Sequence, residues 1–400
     1  MTQPTVMKSA GADGVVLESD CWGDPSDPPL VLVHGGGQTR NAWAGAAAQL
    51  SARGLYVVTP DLRGHGRSGW APDGDYFLRA HANDLHALAA RLSRPPIVVG
   101  ASLGGLTGLV ACGEAPQLPC AAMVMVDIAH RAQPAGITRI VEFMRAHPDG
   151  FADLEEAAAA VAAYLPHRAQ RPDTRGLENN LRRRDDGRWR WHWDPKLLDA
   201  VANPKRASSP PSRFVAAANQ LPAALCLVRG ATSDVIDEEI VHEFLEAVPG
   251  ATTALVAGAG HMVAGDRNDR FVEAIVPVVT QAAAVGTQLQ RCRTDRVAQS
   301  QGPASTAPME RVAVRVALWG GTDAAQRAAY AEHGNPAPTS VAGGELATLL
   351  AARDLDRYVH AAADATSERS ALVSRLRAFA AEAPTQAAAT IDAVLRGAQD

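Results

Sequence analysis

Ser102 is the residue whose surroundings point most directly to chemistry, because it follows the apolar run 96–101 and is flanked by glycines. The pattern Gly-x-Ser-x-Gly between a strand and a helix is typical of a sharp turn that exposes a nucleophilic hydroxyl. A serine attacks a carbonyl only when a base accepts its proton and a carboxylate holds that base in the correct tautomer. The sequence should therefore supply a histidine and an acid downstream.

His261 and Asp234 are the predicted base and acid. His261 follows the glycines of an Ala-Gly-Ala-Gly stretch, and Asp234 lies just beyond the apolar run 224–229. Both would sit in loops at the carboxyl edge of a parallel sheet, where such sheets place their working groups. Asp234 is also compatible with a turn residue or a helix N-cap, and Asp237 is the second choice for the acid.

Three glycines, Gly35 to Gly37, directly follow another apolar run. Successive small residues leave backbone N–H groups free to face a developing oxyanion. We predict that the N–H groups of Gly36 and Leu103 form this oxyanion hole. The neighbouring His34 is expected to order the loop rather than to act as the base.

The elements that must position these residues are short apolar runs separated by helical patterns. Such runs predict buried strands, here at 30–34, 55–59, 96–101, 122–127, 224–229 and 252–257, with a leading strand near 14–19. Helical patterns at 43–53, 78–92 and 238–247 alternate with them. This alternation predicts an α/β fold, a mostly parallel sheet flanked by helices.

The predicted domain organisation depends on where the alternation of strands and helices stops. We expect the core at 1–127 and 222–286, with 128–221 inserted after the sixth strand as a cap, because that stretch is too long for a connection. Residues 287–308 are polar and predict a linker. Residues 309–400 form an Ala-rich, mainly helical extension of unknown role, either a homo-oligomer contact or an accessory domain.

Composition excludes several classes of function. The net charge of −5 argues against a nucleic-acid partner, which would need a basic surface. The five cysteines form no C-x-x-C pair and predict neither a disulfide framework nor a zinc site. With no leader and no long apolar span, the sequence predicts a cytoplasmic protein that binds no membrane. No motif requires a metal or a cofactor.

Five motifs in order, HGGGQTR, PDLRGHGRS, VVGASLGG, SD and GAGHM, resemble the α/β-hydrolase superfamily over residues 12–285. The pattern is similar to the serine-nucleophile branch of esterases, cofactor-free haloperoxidases (perhydrolases) and C–C bond hydrolases. The resemblance implies that Ser102 is the nucleophile, Asp234 the acid and His261 the base, with Asp127 as the acid site that some relatives use. Relatives that open epoxides or remove halides carry aspartate as nucleophile, so those activities are disfavoured.

The resemblance implies a small-molecule acyl substrate and hydrolysis of an ester, a lactone or a thioester. The alternatives are peroxide-dependent chemistry on the same triad and a non-catalytic ligand-binding protein on a hydrolase fold. In the cap, alternation places Trp189, Trp191 and Trp193 on one face, either as packing or as the wall of a substrate pocket. Arg182 to Arg184 predict a solvated face or an attraction for an anionic substrate.

Overall fold

A computed structural model describes residues 3–165, 174–202, 209–266 and 268–299. One eight-stranded sheet has the order β1-β2-β4-β3-β5-β6-β9-β10. Its strands are β1 (Thr5–Ala10), β2 (Val16–Trp22), β3 (Pro29–Val33), β4 (Tyr56–Pro60), β5 (Ile97–Ala101), β6 (Ala122–Val126), β9 (Ala224–Gly230) and β10 (Ala251–Val256). The strands β7 (Leu181–Arg183) and β8 (Trp189–Trp191) form a separate antiparallel hairpin.

The sheet is parallel from β4 through β10, and β2 pairs antiparallel with both β1 and β4. The α/β fold with a mostly parallel sheet is thus confirmed. The six apolar runs and the leading strand correspond to β2 through β6, β9 and β10. The edge strand β1 has no strong apolar pattern, because most of its side chains are exposed.

Helices cover both faces of the sheet. They are α1 (Ala44–Ser51), α2 (Leu78–Ala89), α3 (Leu103–Gly113), α4 (Pro134–Arg145), α5 (Leu154–Tyr164), α6 (Lys196–Ala202), α7 (Pro211–Asn219), α8 (Glu238–Ala247), α9 (Val263–Asp266) and α10 (Asn268–Gln299). Short 3₁₀ helices occupy Arg40–Trp43 and Arg175–Asn179.

Successive residues of the central strands enter opposite cores. Val98 packs in a cluster with Leu109 of α3 and Phe244 of α8, whereas Ile97 and Val99 pack in the other cluster, which includes side chains of α1 and α10. Burying each such side chain is worth about 1.5–3 kcal/mol. This two-sided burial fixes the ends of the strands, and therefore the loops that carry the candidate site.

The stretch between β6 and β9, the predicted cap, contains α4, α5, the hairpin, α6 and α7. Its buried apolar side chains, which include Phe151, Leu181 and Trp191, form a hydrophobic cluster together with Ala71 and Tyr76 from the segment between β4 and α2. In contrast, α7 packs on α3 and contributes Phe214 to the main core. The last helix of the predicted cap is therefore part of the core packing.

The chain forms two compact units, Met1–Arg291 and Cys292–Asp400. Residues 287–299, where the sequence predicts the start of a linker, belong to α10, and the boundary between the two units falls within the same stretch. The polar composition there is compatible with a helix because alanine, glutamine and arginine all favour helix formation. The rest of the linker and the extension at 309–400, with its predicted oligomer contact, lie outside the described residues.

Candidate active site

Ser102 lies in the sharp turn between β5 and α3. Its φ is +49° and its ψ is −115°, a backbone conformation that residues other than glycine rarely adopt. The turn is so tight that a Cβ on Gly100 would lie 2.2 Å from the carbonyl oxygen of Gly104. The N–H of Ser102 donates to the carbonyl of Val126 at 3.0 Å. This strained conformation is that of a nucleophile elbow, as the Gly-x-Ser-x-Gly pattern predicts.

His261 and Asp127 form the histidine–carboxylate pair of the site. Nδ1 of His261 lies 2.8 Å from Oδ2 of Asp127, a carboxylate that is fully buried. His261 lies in the loop after β10, and its side chain is 13% exposed. Because Nδ1–H is donated to the carboxylate, Nε2 is the nitrogen free to accept a proton.

The structure corrects the prediction that Asp234 holds the base. Nδ1 carries a single hydrogen, and that hydrogen bond goes to Asp127. The carboxylate of Asp234 instead pairs with the guanidinium of Arg139 on α4 at 2.7 Å, and both side chains are 41% exposed. Asp237, the second choice, is the N-cap of α8 and accepts from the N–H of Ile240 at 2.9 Å. The carboxylate next to His261 is thus that of Asp127, the alternative acid site that the resemblance implies.

Ser233 is a site residue that the sequence analysis missed. Its hydroxyl donates to Oδ2 of Asp127 and accepts from the N–H groups of Val235 at 3.1 Å and Ile236 at 3.3 Å. The N–H of Gly230 donates to Oδ1 of Asp127 at 2.9 Å. These bonds fix the carboxylate from two sides. The sequence signal that could have found Ser233 is the Ser-Asp pair after β9. In this pair the serine, and not the aspartate, contacts Asp127.

The glycine loop after β3 lies directly against the elbow, since a Cβ on Gly35 would be 3.3 Å from the Cβ of Ser102. The carbonyl of Gly35 accepts from Nδ1 of His34 at 2.8 Å and from the N–H of Gln38 at 3.1 Å. In a trans peptide the N–H points opposite to the carbonyl. The N–H of Gly36 therefore points away from His34 and Gln38.

His34 is used at both ring nitrogens. While Nδ1–H donates to Gly35, Nε2 accepts from the N–H of Leu62 at 3.0 Å. The ring is fully buried, and burial lowers its pKa to about 4. A neutral ring with both nitrogens bonded orders the loop, as expected, and has no free nitrogen to act as a base.

The sharp turn at Ser102 and the pair formed by His261 and Asp127 lie in a part of the chain that matches a known protein family. A family model described as the α/β hydrolase fold matches residues 28–266, which include the elbow, Asp127 and His261. The chain belongs to the α/β-hydrolase family. Its fold is the one expected from the resemblance of its motifs.

Two curated relatives and one solved structure show how far the similarity of this hydrolase extends. Esterase Rv0045c of Mycobacterium tuberculosis is 30% identical over 273 residues, covering 64% of this chain and 83% of the relative. The 3-hydroxybutyrate-oligomer hydrolase of Cupriavidus necator is 28% identical over 256 residues, covering 60% and 85%. The solved structure of the M. tuberculosis esterase Rv0045c superposes with a TM-score of 0.57 at 26% identity, covering 70% of this chain and 93% of that one.

The cap tryptophans of this hydrolase pack together. The rings of Trp191 and Trp193 stack with centroids 4.9 Å apart, and both are buried in the cap cluster, against which Trp189 packs. Their common face agrees with the alternating pattern. Their role as the wall of a substrate pocket stays a prediction.

The three consecutive arginines diverge. Arg182 lines a polar cleft together with Arg40, Arg67 and Asp61, and burial lowers its pKa. Arg183 donates to the carbonyl of Gly187 at 3.4 Å, and Arg184 lies over the ring of Trp70. They do not form one cationic surface.

Within the described ranges, no cluster of three or more His, Cys, Asp or Glu residues is arranged to hold a metal ion. Cys21, Cys112, Cys120 and Cys226 are free thiols. A helix with the length and apolar character needed to cross a bilayer is absent from the same part of the chain.

Proposed function

We propose that this chain is a serine hydrolase that cleaves carboxylic esters through an acyl-enzyme. The hydrogen bond between His261 and Asp127 carries the proposal, because it supplies an oriented base at the sheet edge where Ser102 occupies a nucleophile elbow. Two relatives support the substrate class, since one is named an esterase and the other a 3-hydroxybutyrate-oligomer hydrolase. A lactone or thioester would meet the same groups.

In the acylation step, Oγ of Ser102 attacks the ester carbonyl carbon while its proton moves to Nε2 of His261. Asp127 holds the imidazole through Nδ1 and stabilises the imidazolium that forms. The oxyanion accepts hydrogen bonds from the N–H groups of Gly36 and Leu103. The intermediate then collapses, the bond to the alkoxy oxygen breaks, and Nε2–H of His261 gives its proton to the departing alcohol.

In the deacylation step, water attacks the acyl carbonyl and loses a proton to Nε2 of His261. Collapse of the second tetrahedral intermediate breaks the bond to Oγ, which recovers its proton from His261, and the carboxylic acid leaves. Hydrogen peroxide in place of water would give a peracid by the same route. That reaction is the alternative chemistry the triad supports.

Hydrolysis of nitrophenyl esters from acetate to laurate by the wild-type protein and by Ser102→Ala tests the proposal. We expect turnover by the wild type, an acyl-length optimum set by the cap, and a loss of at least about 10⁴-fold in Ser102→Ala. A parallel assay for peroxide-dependent halogenation measures the alternative chemistry. An inert wild type that an organophosphate does not label would favour a non-catalytic ligand-binding protein.

A further inference from the structure

His192 is a buried cap residue that the alternating pattern of its segment places on the polar side. It follows β8 and is 1% exposed. Its Nδ1 accepts from the N–H of Gly66 at 2.7 Å. An N–H donor at Nδ1 requires that this nitrogen carry no proton, so the ring proton lies on Nε2. That nitrogen is 3.3 Å from the carbonyl oxygen of Gly37, to which it donates.

Gly37 also forms a hydrogen bond to a second histidine, through its N–H group. Its N–H donates to Nε2 of His65 at 3.1 Å, while Nδ1–H of His65 donates to the carbonyl of Arg63 at 3.0 Å. Gly37 has a φ of +74°, a conformation that side chains rarely adopt. Both peptide groups of Gly37 are therefore fixed by buried imidazoles.

Three successive peptide groups of the glycine loop after β3 are thus each held by a histidine. His34 holds the peptide that carries the N–H of Gly36, His65 holds the next one, and His192 holds the third. His34 and His65 belong to the core, whereas His192 comes from the cap. The glycines themselves contribute no side chain that could pack, so hydrogen bonds to their peptide groups restrain the loop.

The segment that carries His192 is docked on the core by further bonds. The N–H of Asp194 donates to the carbonyl of Gly64 at 2.9 Å, and the hydroxyl of Tyr76 donates to the carboxylate of Asp194 at 2.5 Å. The hydroxyl of Thr39 reaches the side-chain oxygen of Asn180 at 3.3 Å. A displacement of the cap segment would therefore move the imidazole that holds Gly37.

We propose that His192 is a positioning residue. Through its bond to Gly37, the position of the cap on the core determines the alignment of the oxyanion hole. The inference rests on the proposed function, because it assigns the N–H of Gly36 to the oxyanion. When the bond to Gly37 is lost, the glycine loop gains rotational freedom and the N–H of Gly36 loses its alignment with the transition state. Misplacing a catalytic donor in this way lowers kcat more than it changes substrate binding.

Each of two substitutions removes one of the two hydrogen bonds of the His192 ring and keeps the other. In His192→Asn, the side-chain oxygen replaces Nδ1 and still accepts from Gly66, but the donor to Gly37 is lost. In His192→Gln, the side-chain amide reaches as far as Nε2 and still donates to Gly37. We expect kcat on a nitrophenyl ester to fall about 10- to 100-fold in His192→Asn with KM within about threefold, and to recover to within about threefold in His192→Gln.

Active-site titration with an organophosphate normalises kcat to the folded enzyme in each variant. His86→Asn is the matched control, since this partly buried histidine on α2 interacts with the backbone at Ala111 and Pro116. Equal losses of kcat in the two His192 variants would overturn the proposal, as would an unchanged kcat in His192→Asn.

A measurement independent of activity is the ¹⁵N NMR spectrum of the His192 ring in the full-length protein. We expect a neutral ring with its proton on Nε2. A proton on Nδ1 or a doubly protonated ring at neutral pH would contradict the two bonds on which the inference rests. If the wild-type protein hydrolyses no ester, the proposed function fails, and the NMR spectrum still tests the tautomer that the bond from His192 to Gly37 requires.

Discussion

Asp127 accepts a hydrogen bond from Nδ1 of His261 at 2.8 Å across a sequence separation of 134 residues. Asp127 itself has a φ of +53°, and its N–H donates to the carbonyl of Val228 at 2.7 Å on the neighbouring strand β9. This backbone arrangement turns the carboxylate from the end of β6 toward the loop that carries His261. The proposed acid and the proposed base thus follow strands that β9 separates in the sheet.

Asp127→Asn should lower kcat on a nitrophenyl ester by about 10⁴-fold, because the amide can hold the imidazole in the wrong tautomer. Asp234→Asn, the matched control, removes only a half-exposed ion pair with Arg139 and should keep kcat within about threefold of wild type. Steady-state kinetics on both variants, with circular dichroism to verify folding, measures the contrast. The reverse ranking would restore Asp234 as the acid.

The difference between the two aspartates shows where sequence reasoning stopped. Asp127 and Asp234 both follow strands that pair with each other, β6 and β9, so the apolar runs place both at one edge of the sheet. The choice depends on a contact from the cap: a Cβ on Gly136 of α4 would lie 2.3 Å from the carbonyl of Asp234. Because α4 packs so closely, Arg139 is within reach of Asp234. No local pattern encodes such a contact between distant segments.

The sharp turn at Ser102, the loop position of His261 and the glycine loop after β3 were predictable because each is encoded locally. Gly100 and Gly104 have no room for a side chain, and the serine between them follows a strand that is apolar on both faces. His192 was not predictable, because its two hydrogen-bond partners, Gly37 and Gly66, come from distant loops. The alternation of apolar and polar residues predicts which side chains share a face of a strand. It does not predict which polar side chains are buried and hydrogen-bonded to distant segments.

Ser233→Ala should weaken the site without removing any member of the triad. Asp127 loses the hydroxyl that donates to Oδ2, and the N–H groups of Val235 and Ile236 lose their acceptor. We expect kcat to fall about tenfold and the free energy of unfolding to fall by about 1–3 kcal/mol. Ser233→Thr keeps the hydroxyl and should recover kcat. If the alanine variant matches wild type in kinetics and in urea unfolding, Ser233 does not support the acid.

Gly104→Ala should prevent the elbow from forming. The added Cβ would lie 2.3 Å from the carbonyl oxygen of Val33, in backbone that cannot move without disturbing β3. We expect a loss of more than about 3 kcal/mol in the free energy of unfolding, or no folded protein at all. Gly250→Ala is the control, because a Cβ there meets no atom within 4 Å. Urea unfolding of the two variants decides, and equal stabilities would contradict the tight packing of the turn.

Acid should destabilise the fold through its buried histidines. Burial lowers the pKa of His34 to about 4 and that of His65 to about 3, whereas both titrate near 6.5 when unfolded. Below pH 6.5 the unfolded chain therefore binds protons that the folded chain does not, and stability falls as the pH is lowered toward 4. Each histidine contributes a slope of up to about 1.4 kcal/mol per pH unit.

Urea unfolding of the wild type and of His65→Gln at several pH values between 7 and 4.5 measures this slope. The glutamine oxygen can still accept from the N–H of Gly37 but does not titrate. We expect a shallower dependence on pH in the variant, by up to about 1.4 kcal/mol per pH unit. Parallel curves for the two proteins would show that His65 takes up protons equally in the folded and unfolded states.

Trapping of the acyl-enzyme tests the central claim most directly. The wild-type protein is mixed with nitrophenyl acetate, quenched in acid within the first turnovers, digested and analysed by mass spectrometry. The proposed mechanism predicts one acetyl group on the peptide that contains Ser102, formed together with a burst of nitrophenol and absent from Ser102→Ala. Ester hydrolysis with no acyl group on Ser102, or with the acyl group on another residue, would contradict it.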